Sequence, residues 1–311
     1  MKIVFLDAAT IGSDISMSPV SSLGEYVAYD STSPEEAPGR VSDCEILIIN
    51  KVKVTKELID AAPKLRLICE AATGTNNIDM EYAAAKGIPV KNVAAYSTES
   101  GVQTTFMHLL ALVGRSAEFD AEMKDGSYSR SGCFTDVTKP FHELDGKTIG
   151  IIGMGNIGSR VASVASAFGM KVVYYSTSGT SHCTDYPSLP IEELLKVSDV
   201  VSVHAPMNAR TDNLLTYDKI ALMKPTAYLL NLGWGGIVNE ADLARAIDEK
   251  LIAGAAVDVF TAEPLPASNP LLNVKEKGRL LLSPHIAWAS REARARLVDG
   301  IAKNILYLQS L

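Results

Sequence analysis

The sequence predicts an α/β protein built on two parallel sheets. Short β-rich runs alternate with helical patterns from one end of the chain to the other, which is how βαβ units read. Most of these runs are apolar on both faces, so they belong to sheets covered on both sides. At roughly 150 residues per domain, the 311 residues make two units, each large enough to bury its own core.

Each element follows from its own stretch. KIVFL (2–6) opens the chain, and EILIIN (45–50) and RLICE (66–70) repeat its apolar character. TKELIDAAP (55–63) and DMEYAAAKG (79–87) carry helical spacing and stop at Pro63 and Gly87, residues that end helices. After Tyr96, Ser97 and Thr98 a long helical pattern runs through GVQTTFMHLLALVGRSAEF and gives way to the polar KDGSYSRSG. Strands are expected again at 148–153 and 171–175, with a small-residue helix between them. IEELLKVSD (191–199), TYDKIALMKP (216–225) and EADLARAIDEK (240–250) are helical, interleaved with strands at 200–204, 227–231, 254–259 and 280–283. A last helical pattern from Ser290 to Leu308 puts Arg and Ala on one face and Leu, Ile and Val on the other. The two long helices are the candidate crossings between units, since no Pro/Ser-rich linker or internal repeat marks a boundary.

Composition excludes several classes. A chain that is 47% hydrophobic and 21% charged is neither disordered nor collagenous. Its 29 Lys and Arg against 36 Asp and Glu leave a net charge of −7, which argues against a phosphate-neutralising surface and hence against nucleic acid. No apolar run approaches the ~18 residues of a membrane span. The opening MKIVFLD reaches an aspartate too soon for a signal peptide, so a cytoplasmic chain is expected. Cys44, Cys69, Cys133 and Cys183 form no CxxC pair and read as buried or idle thiols. His108, His142, His182, His204 and His285 show no HExxH spacing, and no metal is expected.

The strongest local motif is TIGIIGMGNIGSRVASVASAFG (148–169). A buried strand meets Gly153, Gly155 and Gly158 and then a helix. The three glycines serve a tight turn, close backbone approach to a pyrophosphate, and close packing of helix on strand. The helix N-terminus then offers free N–H groups and positive potential to phosphates. With KVVYY following at the right distance, dinucleotide binding is expected rather than a mere packing turn. At the end of that second strand, where an acid would hold ribose hydroxyls, stands Ser176, followed by Thr177, Ser178 and Gly179. No Arg or Lys follows either, so the cofactor is NAD or NADP.

NLGWGGIVNEADL (231–243), GAAVDVFTAEP (254–264) and SPHIAWAS (283–290), with EAATGTNNIDMEYAAAKGIPV and HAPMNARTDNLL, resemble the D-isomer-specific 2-hydroxyacid dehydrogenase family over nearly the whole chain. EAATGTNNIDM, CFTDVTKPFHELDGKTIGIIGMGNIG and SPHIAWAS are most similar to its glycerate dehydrogenase or hydroxypyruvate reductase branch. The resemblance implies two Rossmann-like domains. A dinucleotide-binding domain over 99–286 is inserted into a discontinuous substrate domain made of 1–98 and 287–311, with a small 2-keto or 2-hydroxy acid held between them beside the nicotinamide. It implies His285 as the catalytic imidazole and Glu263 as the acid that orients it and stabilises its charged form. It implies that the main-chain N–H groups of Thr73 and Gly74 hold the substrate carboxylate. Asn156 and Ile157 approach the pyrophosphate, Ala205 and Pro206 line the adenosine side, and Leu232, Gly233, Asp258 and Thr105 lie toward the nicotinamide half. It also implies a homodimer formed through the dinucleotide domain, with the stretch 99–121 at its interface.

One departure bears on activity. The family reads Asn, two residues, Arg, Gly, whereas this chain reads Asn231, Leu232, Gly233, Trp234, Gly235, so the catalytic arginine is Trp234. A guanidinium is planar, permanently charged and multi-donor, whereas indole offers one neutral N–H. Removing one partner of a buried charge pair costs about 3–5 kcal/mol, which would weaken turnover without removing the cofactor site. The chain is then an engineered or accidental variant, a natural enzyme with another substrate anchor, or a non-catalytic relative, and the presence of both His285 and Glu263 favours the first. Glyoxylate and D-lactate reductases share the same frame. A dinucleotide-sensing binding protein is the alternative from another class.

Overall fold

The structure, a computed structural model, describes residues 1–180 and 183–309, and His182 lies outside them. The chain divides into two compact units, one of Met1–Ser97 with Ala289–Leu311 and one of Thr98–Trp288. Against the expected domains, the second unit gains Thr98 at its start and Ala287 and Trp288 at its end. Thr98 opens the helix Thr98–Val113, and the Ala287 N–H is tied to Asp258 inside the second unit, which holds each boundary where it falls.

The first unit is a five-stranded parallel sheet. Its strands are β1 (Lys2–Phe5), β2 (Glu25–Ala28), β3 (Ile46–Ile49), β4 (Leu67–Glu70) and β5 (Val90–Lys91), in the order β2-β1-β3-β4-β5. β3 and β4 are buried throughout, as apolar runs covered on both faces must be. β2 and β5 have no counterpart in the sequence reading. β2 is a half-exposed edge strand and β5 is only two residues long, so neither leaves an apolar run. Helices Lys56–Asp60 and Met80–Ala85 start where Thr55 and Asp79 accept the N–H groups of Leu58 and Tyr82, caps that contribute about 1 kcal/mol each. The tail helix Arg291–Gln309 packs on this sheet, and at Gly300 it comes so close that a Cβ would lie 2.4 Å from Val93 Cγ1. Where the strand order reverses, between β1 and β3, the buried Asp7 carboxylate accepts the N–H groups of Asn50, Lys51 and Val52 and fixes the loop after β3.

The second unit is a six-stranded parallel sheet. Its strands are β6 (Thr148–Ile152), β7 (Lys171–Tyr175), β8 (Val200–Val203), β9 (Tyr228–Asn231), β10 (Gly254–Val257) and β11 (Leu280–Leu282), in the order β11-β10-β9-β8-β6-β7. Apolar cores lie on both faces. Leu194, Val201, Leu229, Ala255 and Leu243 pack on one, and Phe106, Leu109, Ile149, Ile151 and Leu230 on the other. The order reverses between β6 and β8, which is where open α/β sheets bind ligands.

The long helical pattern after Thr98 is two helices rather than one. Thr98–Val113 packs on β9, β10 and the helix Asn156–Ala167, and then Arg115 takes a left-handed φ of 51° before Ser116–Lys124 begins. The pattern of TYDKIALMKP yields only the helix Tyr217–Ile220. Among the described residues no helix is long and apolar enough to cross a membrane, and no group of three or more His, Cys, Asp or Glu side chains gathers as a metal site would. Cys44 and Cys69 are buried, Cys183 is half-buried and Cys133 is exposed.

Candidate active site

The turn after β6 is built for close approach. Gly153 has φ +94°, and a Cβ there would lie 2.9 Å from the Ala205 Cα and backbone N beyond β8. A Cβ on Gly158 would fall 2.1 Å from the Gly153 carbonyl oxygen, so helix and strand can meet only without one. Gly155 differs, because a Cβ there would meet nothing within 4 Å. Its exposed backbone leads into the helix Asn156–Ala167, whose N-terminus no side chain caps. Open space over a glycine and uncapped N–H groups of a twelve-residue helix are the donor set a pyrophosphate needs. The turn therefore fits a dinucleotide. Asn156 is exposed and Ile157 half-buried at that helix start.

Around this turn the neighbouring strand ends converge. Ala205 is buried, and its carbonyl oxygen would lie 3.0 Å from a Cβ on Gly233, so the turns after β6, β8 and β9 meet there. Pro206 is exposed and its carbonyl accepts the Thr211 hydroxyl at 2.7 Å. His204, just before them, is pushed down to about 4 by burial, with Nε2 2.8 Å from Ser202 Oγ. Thr105 is fully buried on the helix Thr98–Val113 and spends its hydroxyl on the Gly101 carbonyl at 2.7 Å. After β7, Ser176 Oγ donates to the Thr180 carbonyl. Arg210, from the loop after β8, reaches this turn and donates from Nη1 to the Ser178 carbonyl. No motif linked Arg210 to Ser176 in the sequence, because the two are brought together only by the pairing of β6 with both β7 and β8.

His285 and Glu263 meet as expected. His285 Nδ1 lies 2.7 Å from Glu263 Oε2, while Glu263 Oε1 accepts the Phe260 N–H at 2.9 Å. The carboxylate is thus anchored on the main chain and aims its second oxygen at the ring. With Nδ1 committed to the carboxylate, Nε2 is the nitrogen left for other chemistry. The ring is about one-third exposed. The backbone of His285 has φ 52°, a left-handed conformation uncommon for a residue with a side chain. Beneath it lies Asp258, fully buried, whose Oδ1 accepts the Ile286 N–H at 2.9 Å and whose Oδ2 accepts the Ala287 N–H at 2.8 Å. Ser283 Oγ donates to the same carboxylate.

Trp234 stands in the turn after β9. Buried Asn231 closes its turn, with Nδ2 donating to the Trp234 carbonyl at 3.2 Å and Oδ1 accepting the Gly233 N–H at 3.3 Å. A Cβ on Gly235 would lie 2.0 Å from the carbonyl oxygen of Phe260, the same residue that donates to Glu263. Leu232 points into the core and the indole of Trp234 is 37% exposed, so the backbone the family pattern demands is intact and only the side chain at 234 differs.

Thr73 and Gly74 belong to the first unit, in the loop after β4. Thr73 is exposed, its hydroxyl donates to the Val93 carbonyl at 3.1 Å, and its own carbonyl accepts Asn92 Nδ2 at 2.6 Å. Farther along the loop Asn77 Nδ2 donates to the carbonyls of Asn50 and Val52 and to Glu70 Oε2, tying the loop after β3 to the end of β4.

Similarity to known proteins agrees with this geometry. The profile described as D-isomer specific 2-hydroxyacid dehydrogenase, NAD binding domain, matches residues 106–287. A hydroxypyruvate reductase of Blautia hydrogenotrophica is 34% identical over 98% of this chain and 96% of its own length. Among solved structures, an acyclic imino acid reductase in complex with NADPH and D-Arg has a TM-score of 0.87 and 30% identity, covering 100% of this chain and 98% of that one. The D-lactate dehydrogenase of Aquifex aeolicus, complexed with NAD and lactic acid, has a TM-score of 0.86 and 28% identity, covering 99% of this chain and 95% of that one. A parallel two-sheet fold, a glycine turn shaped for a dinucleotide, a His–Glu pair in contact and a profile match over more than half of the sequence have one reading in common: the chain belongs to the D-isomer-specific 2-hydroxyacid dehydrogenase family.

Proposed function

We propose that the chain reduces a small 2-keto acid to the D-2-hydroxy acid, with hydroxypyruvate to D-glycerate first among the substrates, and that Trp234 holds the rate down. The observation that carries this reading is the 2.7 Å contact of His285 Nδ1 with Glu263. A bound nicotinamide supplies the hydride. His285 supplies the proton, from Nε2, to the carbonyl oxygen as the carbonyl carbon gains the hydride, so C=O becomes CH–OH with atoms and charge balanced. Glu263 keeps the ring oriented and offsets the positive charge it carries before donation. The N–H groups of Thr73 and Gly74 take the substrate carboxylate, with Trp234 standing where the family has an arginine. The hydroxypyruvate reductase relative supports the choice of substrate.

NADPH is the preferred cofactor in this reading. The second strand ends without a carboxylate to repel a 2′-phosphate, and Arg210 lies on the Ser176–Thr180 turn where that phosphate would sit. The working molecule is a homodimer. Met123, Phe134, Val137 and Phe141, between 58% and 92% exposed, follow the helix Thr98–Val113 and are large apolar side chains of the kind a partner covers.

A panel of 2-keto acids assayed with NADH and NADPH tests the reading, using the chain and its Trp234→Arg variant. The variant is expected to raise kcat/KM on hydroxypyruvate or glyoxylate by about a hundredfold or more, which is what about 3 kcal/mol of restored charge pairing amounts to. NADPH is expected to outperform NADH in both. Equal rates in the two proteins reject the role given to Trp234, and absence of turnover in both rejects the substrate class.

A further inference from the structure

We infer that His108 is a positioning residue for the turn that carries His285, acting through Ser283 and Asp258; the inference rests on the catalytic role proposed for His285. His108 stands on the helix Thr98–Val113, far from any motif, and is buried. Its Nε2 is 2.9 Å from Ser283 Oγ. Ser283 in turn donates to Asp258 Oδ1, and the two oxygens of Asp258 take the N–H groups of Ile286 and Ala287. His285 lies between the serine and those two amides, at its left-handed φ of 52°.

The protons in this chain can be assigned. A serine hydroxyl has one proton, and Ser283 gives it to the carboxylate, so towards His108 the hydroxyl is an acceptor. Burial holds His108 below the usual imidazole range, which leaves a neutral ring with a single N–H. That N–H must sit on Nε2, where Ser283 receives it. Donors and acceptors are then matched along the path: imidazole N–H to hydroxyl, hydroxyl to carboxylate, and two backbone amides to the carboxylate.

The consequence falls on the turn. A non-glycine residue with positive φ persists where its surroundings over-determine it. Here the clamps are the Asp258 carboxylate on the C-terminal side, the Ser283 hydroxyl on the N-terminal side, and the His285 N–H donating to the Ser283 carbonyl at 3.0 Å. Removing the His108 donor leaves a buried hydroxyl lone pair unsatisfied and lets the hydroxyl rotate away from Asp258 to find another partner. The clamp then loses its N-terminal half, and the imidazole loses its fixed direction relative to substrate.

Two substitutions and two readouts decide it. His108→Leu fills the same space without a donor, whereas His108→Gln returns an N–H at the reach of Nε2. The relay predicts that His108→Leu lowers kcat on hydroxypyruvate with NADPH by roughly 10- to 100-fold with KM changed less than about threefold, and speeds amide exchange of the 284–288 segment by about tenfold or more. It also predicts that His108→Gln restores most of both. A packing role predicts the opposite order, with leucine near the parent and glutamine worse. Parent-like kcat and exchange in His108→Leu, or equal damage in both variants, would overturn the inference. Exchange is read without turnover, so a parent that reduces no 2-keto acid removes the reading of His285 while the exchange comparison still decides the relay.

Discussion

Glu70 shows at the residue scale how burial sets a charge state. It ends β4 with no solvent exposure; Oε2 accepts Asn77 Nδ2 at 3.1 Å, and Oε1 has no hydrogen-bond partner among the described residues. Burial pushes its carboxyl up to about 8, with Asp7 adding to the rise and Asn77 and Lys51 opposing it. A raised carboxyl stabilises the fold fully below the unfolded value near 4.5, and that contribution is lost as pH climbs to about 8. The parent should therefore lose roughly 3–5 kcal/mol across that window relative to Glu70→Gln, read by denaturant unfolding at a series of pH values. Parallel stability profiles would contradict it. Nothing in RLICEAATG announces this behaviour, because an acid at a strand end looks the same whether buried or exposed. His285, Glu263 and the three glycines were legible because their spacing and neighbours form motifs. Ser283, His108 and Arg210 were not, because their partners are 25 to 175 positions away in sequence or joined only by sheet pairing.

At the scale of elements, the turn between β6 and its helix separates folding from binding. A Cβ on Gly153 would collide with Ala205, whereas one on Gly155, at φ −83°, would meet nothing. Gly155→Ala should fold with a Tm close to the parent's and yet bind NADPH about tenfold or more weakly, because the methyl takes the room of the pyrophosphate. Calorimetry of unfolding and of cofactor binding checks both halves, and unchanged affinity would remove the turn from the cofactor site. Buried strands such as β3 and β8 were readable as apolar runs, while β2 and β5 were hidden by exposure and shortness. The break at Arg115 was hidden because Gly114 and Arg115 interrupt a pattern whose apolar spacing continues on either side.

For the whole molecule, two parallel sheets each reverse strand order beside the residues singled out for chemistry. In the first, Asp7 and Asn77 shape the loops next to Thr73. In the second, Gly153 and Ala205 meet beneath the cofactor turn. The chain leaves the first unit at Ser97 and returns to it at Ala289, so the second unit is one continuous segment and the first is not. The account depends most on His285 as proton donor. The direct test is His285→Asn, since asparagine tolerates the left-handed backbone at this position. With NADPH affinity unchanged, kcat on hydroxypyruvate should fall by about a hundredfold or more in the Trp234→Arg background; a kcat within a fewfold of that background would contradict the account.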